Sequence, residues 1–111
     1  MALKALAQMG NFFHVYDFRV KPGTADEFIR LFDEFDYSDD NPMHKSPAQV
    51  KDGVLCRDDE DPDHFYLLGE WNDKEAHYAI WKKVFESGPM PERFSLVEGD
   101  ELRPVYATVV A

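Results

Sequence analysis

Cysteine is nearly missing from this sequence. Cys56 is the only one in 111 residues, so no disulfide closes within the chain and nothing calls for an oxidising compartment. The cytoplasm is the expected location. Basic residues are scarce as well, 12 Lys and Arg against 22 Asp and Glu, for a net charge of -10. Such a surface repels phosphate backbones and anionic lipid heads, which sets nucleic acids and membranes aside as partners. No apolar run approaches the ~20 residues that span a bilayer. The first ten residues hold one Lys and short apolar pieces, without the continuous apolar stretch of a secretion signal, and residues 1–11 are expected to form a loose extension. Also missing are His/Cys pairs with zinc spacing, a glycine-rich phosphate loop, a dinucleotide fingerprint and a readable Ser/His/Asp arrangement. The acidic turn Asp58–Asp63 lacks the ligand spacing and terminal Glu of a calcium loop. No metal and no cofactor are therefore expected.

What is present is a core. Hydrophobic residues make up 44% and aromatics 14% of the chain, while Gly and Pro are too few for a disordered one, so residues 12–111 are expected to fold as a single domain. Aromatic and β-branched residues from Phe12 to Val20 predict a first strand, ended by Lys21-Pro22-Gly23. Thr24 stands three before Glu27, as in a capping box, and Phe28, Leu31, Phe32 and Phe35 recur at helical spacing. This predicts a helix over 25–37. The polar stretch Ser38–Pro47 reads as a loop of rim or lid length. Gln49–Arg57 predicts a second strand with an irregularity at Gly53, and His64–Trp71 a third, joined by the acidic turn. Asn72 is the expected cap of a second helix, with Ala76, His77, Ile80, Trp81 and Val84 as its inner stripe and Gly88-Pro89 as its end. A short helical turn near 90–96 and a final strand over 102–110, tolerating Pro104 at an edge, complete the chain. The order β-α-β-β-α-β is the split, ferredoxin-like arrangement of an α+β fold with a four-stranded antiparallel sheet.

Two helices cover one face of such a sheet, yet large apolar groups stand on both. Phe12, Tyr16 and Phe18 alternate with Phe13 and Val15, and Phe65, Leu67 and Trp71 with Tyr66 and Leu68. Burying the second face against another copy recovers roughly 25 cal/mol per Å². A two-fold homodimer through the sheet face is the expected partner.

Phe18-Arg19-Val20-Lys21-Pro22-Gly23 followed by Glu27-Phe28, then Asp58–Pro62 with Phe65, then Glu70-Trp71 with Asp73, Glu75 and Ala76, resemble in order and spacing the antibiotic biosynthesis monooxygenase domain. The resemblance spans about Phe13 to Gly88. It implies a dimeric α+β barrel and a family holding cofactor-free quinone-forming oxygenases, haem-degrading enzymes and isomerases. Two features depart from the cofactor-free oxygenases. Leu67 stands where they carry an asparagine four before the tryptophan matched by Trp71, and Tyr16 where some carry an asparagine on the first strand. In the stretch matching the axial histidine of the haem-degrading branch, this chain reads Glu86-Ser87-Gly88-Pro89-Met90, which disfavours haem degradation.

His77 lies on the inner stripe of the second helix, where some family oxygenases carry a tyrosine. It is the first candidate for proton transfer, since histidine alone titrates unperturbed near neutrality. His14 shares a face with Tyr16 and is the second. Tyr16, Phe65, Leu67, Trp71 and Trp81 are the candidate pocket walls for a flat ring, with plain core packing as the simpler account of each. His44 and His64 read as solvated, and Cys56 as a small core residue. The expected function is a cofactor-independent monooxygenase, an oxidoreductase acting on a small aromatic or quinol-like substrate. The alternatives are an isomerase or cyclase using the same pocket without oxygen, and a non-catalytic binding or stress-response module.

Overall fold

The computed structural model describes residues 3–36, 38, 41–86, 96–98 and 104–111. Strand β1 (Phe12–Arg19) leads into helix α1 (Ala25–Asp36), a single 3-10 turn (Met43–Lys45), strands β2 (Val54–Arg57) and β3 (His64–Trp71), helix α2 (Lys74–Glu86) and strand β4 (Val105–Thr108). The sheet is antiparallel throughout in the order β2-β3-β1-β4, which is the ferredoxin-like arrangement read from the sequence. The proposed ends at Tyr37 and Gly88-Pro89, the turn near 90–95 and the start of the last strand at Leu102 lie outside the described residues. Among the described residues no helix is long and apolar enough to cross a membrane.

Strand alternation puts Phe12, His14, Tyr16 and Phe18 of β1 on the inner face, all buried. Register then decides their neighbours. Phe12 stands opposite Trp71, His14 opposite Gly69, Tyr16 opposite Leu67 and Phe18 opposite Phe65. Below, Phe28 of α1 joins Phe18, Phe65, Tyr16, Val20, Ala25 and Val97 in one core cluster. Above, Phe12, Ala48 and Trp71 form a smaller one against Ala76, Ile80 and Tyr106.

Several local expectations are corrected. The second strand has the irregularity expected at Gly53, but its regular part is shorter, Val54–Arg57: Gln49 bridges Trp71, and Val54 pairs with Leu68, so residues 50–53 stand opposite only two residues of β3. This bulge lets Gly53 approach Leu68, whose carbonyl oxygen would lie 3.3 Å from an added Cβ. The α2 cap is Asp73, whose Oδ1 accepts from the amides of Glu75 (3.0 Å) and Ala76 (3.2 Å), because the helix begins one residue later than Asn72 would set it. The Thr24 hydroxyl turns back to donate to the Lys21 carbonyl (2.6 Å), holding the turn before α1. Cys56 is exposed on the outer sheet face, since its pairing with Tyr66 puts it opposite the helices. The segment before β1 is tied down: the Gln8 amide (2.9 Å) and Asn11 Nδ2 (2.8 Å) donate to Glu70 Oε2, and Gly10 and Asn11 pair with Val109.

Candidate functional site

Between the upper sheet and α2 the structure collects five ring side chains. His14 and Tyr16 come from β1, Trp71 from the end of β3, His77 from the first turns of α2 and Tyr106 from β4. His77 faces the sheet because it is the α2 residue one turn beyond the Asp73 cap on the stripe shared with Ala76 and Ile80. Trp71 and His77 are fully buried and His14 is 5% exposed. The imidazoles of His14 and His77 meet edge to face, with centroids 4.6 Å apart, and Trp71 packs against His77 at 4.8 Å.

The polar atoms of this group form a line. His14 Nδ1 lies 2.8 Å from His77 Nε2, and His77 Nδ1 lies 2.9 Å from the Tyr106 hydroxyl. The Tyr16 hydroxyl stands 3.4 Å from His77 Nε2. Both ring nitrogens of His77 are thereby engaged by protein. At the inner end of the line, His14 Nε2 is buried without a hydrogen-bond partner among the described residues, as is the Trp71 indole Nε1. Burying a polar atom unpaired costs about 1–3 kcal/mol. Gly69 makes room for this end. A Cβ there would lie 2.5 Å from His14 Nε2, and the ring is fixed by His77.

Burial sets the protonation states. His14 is lowered to about 3, by desolvation first and by neighbouring His77 second, and His77 to about 4 by desolvation. Burial pushes Tyr106 up to about 12, with Tyr78 adding, and raises Tyr16 further, with Tyr106 as the lesser cause. At neutral pH the line is uncharged, with one proton on each imidazole. Two arrangements satisfy it. In one, His77 Nδ1–H donates to the Tyr106 oxygen and His14 Nδ1–H donates to His77 Nε2, leaving a lone pair at His14 Nε2. In the other every donor is reversed, and His14 Nε2 carries a proton.

The remaining pocket candidates sit elsewhere. Phe65 is buried in the lower cluster, stacked on Phe18 at 5.9 Å, with Leu67 and Trp81 packed at its margin. Trp81 stacks on the half-exposed Tyr78 at 5.8 Å. The lower helix and strand part to form an open groove of about 490 Å³, with Phe65 and Leu55 among its lining residues. Neither loop histidine is simply solvated. His64 Nε2 pairs with Asp17, and His44 Nε2 lies between Asp36 and Asp52. Tyr106 was not among the sequence candidates. Its alternation within the final strand marks an inner-facing position, but nothing in the sequence pairs it with His77.

No protein-family model matches the sequence, and no curated protein matches it. Solved structures do match its fold. One, named an antibiotic biosynthesis monooxygenase, is 18% identical, with 90% of this chain and 97% of that chain covered and a TM-score of 0.58. Another, provisionally given the same name, comes from Chloroflexus aurantiacus, at 21% identity, 91% and 94% coverage and a TM-score of 0.58. A third, described as a dimeric ferredoxin-like protein from an uncultured marine organism, is 14% identical, with 92% and 90% covered and a TM-score of 0.66. At these identities the shared property is the ferredoxin-like fold.

Proposed function

We propose that the chain is a homodimeric, cofactor-independent oxygenase of the antibiotic biosynthesis monooxygenase type, acting on a small phenolic or quinol-like ring. The observation that carries this reading is the buried line His14–His77–Tyr106 ending in an unpartnered ring nitrogen, His14 Nε2. A base with so low a pKa stores a proton poorly, but a relay need not store one. As His14 Nε2 takes the phenolic proton, His14 Nδ1 passes its own to His77 Nε2, His77 Nδ1 passes its own to the Tyr106 oxygen, and the Tyr106 proton leaves at the half-buried edge of β4. The line ends uncharged in its reversed arrangement. The deprotonated ring supplies the electrons: a ring CH₂ position and O₂ give a hydroperoxide, which loses water to leave a carbonyl, so one oxygen atom enters the product and the other leaves as water. The Tyr16 and Trp71 rings flank the His14 ring, with centroids at 5.2 and 6.2 Å, and these aromatic surroundings keep water from competing.

The test is oxygen uptake by the purified protein over a panel of anthrones and quinols. Turnover is expected, and His14→Gln and Tyr106→Phe are expected to lower kcat by on the order of 10²-fold or more and by a smaller factor, respectively. No uptake across the panel, or full turnover by His14→Gln, overturns the reading. Turnover that persists without oxygen transfers the same relay to an isomerase or cyclase.

A further inference from the structure

Three consecutive segments meet at the C-terminal end of α1. Asp36 is the last residue of the helix, His44 the middle of the 3-10 turn, and Asp52 stands in the bulge before β2. His44 Nε2 lies 2.9 Å from Asp52 Oδ1 and 3.4 Å from Asp36 Oδ1, and one donor atom from each of the three lies within 4.8 Å of the others. None of these residues belongs to the His14 line. A divalent ion with bonds of about 2.0–2.2 Å holds adjacent donors about 3.0–3.4 Å apart, in octahedral or tetrahedral geometry respectively. The two histidine–carboxylate separations, 2.9 and 3.4 Å, lie near that range.

Two carboxylates face one imidazole, and the surrounding structure supports the arrangement. Asn41, itself 4% exposed, holds the donors in place. Its Nδ2 donates to the Asp36 carbonyl (2.9 Å) and lies 3.4 Å from Asp36 Oδ1, while its Oδ1 accepts the Met43 amide (3.0 Å). A buried amide that fixes both a ligand carboxylate and the turn carrying the imidazole is the usual outer support of a metal site. Asp36 also borders the groove between α1 and β2, which leaves room for water on an ion.

We propose that Asp36, His44 and Asp52 form a site for one first-row divalent transition ion of the zinc kind, with water completing its coordination. The imidazole donor favours such ions over Ca²⁺ and Mg²⁺, which take oxygen ligands. The ion ties the end of α1 to the start of β2. The test is calorimetric titration of Zn²⁺ into the chelator-treated full chain, with Mg²⁺ as control. One Zn²⁺ per chain is expected, with a rise in Tm, and His44→Gln and Asp52→Asn should each raise Kd at least about 10-fold. Circular dichroism of both variants should match the parent, since Asp52 is about half exposed and His44 partly so. No saturable Zn²⁺ binding, or binding that both variants keep unchanged, overturns the proposal.

Discussion

His14 and His77 each lose water on folding and gain no carboxylate among the described residues, so the folded state holds them neutral, at about 3 and about 4. In the unfolded chain both return to the ordinary histidine value of about 6.5. Between these limits the unfolded state binds more protons, so stability rises with pH up to about 6.5 and falls as pH drops below it. Most carboxylates protonate lower, so the change between pH 6.5 and 5 belongs to the histidines, and a double variant separates the buried pair from His44 and His64. Urea midpoints measured across that window should fall steadily for the parent. In the His14→Gln/His77→Gln double variant the fall should be largely removed. A parent midpoint that is flat from pH 6.5 to 5 would contradict the buried neutral pair.

At the scale of elements, α2 carries His77 into the site, and where it starts decides which residue faces the sheet. Asp73 fixes that start by accepting two free amides of the first turn. Asp73→Ala should cost about 1 kcal/mol of unfolding free energy, whereas Asn72→Ala should change it by less than about half of that. Chemical denaturation of both variants checks the assignment, and equal losses would return the cap to Asn72. The bulge at 50–53 works in the same local way. By inserting two extra residues it places Asp52 beside His44.

At the scale of the whole molecule, no helix among the described residues covers the outer face of the sheet. Phe13, Val15, Tyr66 and Leu68 are only half-buried there, and Val54 and Val105, at opposite edges, are 53% and 63% exposed. An interface that holds two chains together buries about 1,200–2,000 Å², and this face is the apolar surface available for it. Light scattering at micromolar concentration should give about twice the 12.9 kDa chain mass. Val54→Lys/Val105→Lys should give one chain mass with an unchanged circular dichroism spectrum, because both side chains are more than half exposed. A monomeric parent protein would leave the face without its proposed partner.

Much of the fold was legible in the sequence because periodicity is local. Alternation over Phe12–Arg19 and His64–Trp71 and the helical stripe from Ala76 to Trp81 set which residues face inward, and turn chemistry at Pro22-Gly23 and across Asp58–Asp63 set where the chain reverses. Inward facing was therefore readable for His14, Tyr16, Trp71 and His77. Neighbourhood was not. That His14 stands over Gly69, that His77 reaches both His14 and Tyr106, and that Phe65 and Leu67 belong to the α1 side follow from strand register and helix placement, which join residues about 30 to 60 positions apart. Asp36, His44 and Asp52 stand eight residues apart in turn, a spacing that matches no ligand motif, and they meet only because the turn and the bulge fold back on the end of α1. The sequence by itself determined the order of the elements and, for the strongly patterned strands and helices, which side chains face inward, since that alternation is a property of each segment's own pattern, whereas Cys56 on the short second strand was misplaced. Only the tertiary structure decided which buried groups touch, because contact depends on register, bulge and cap together, and each of these can shift by a residue without changing the pattern.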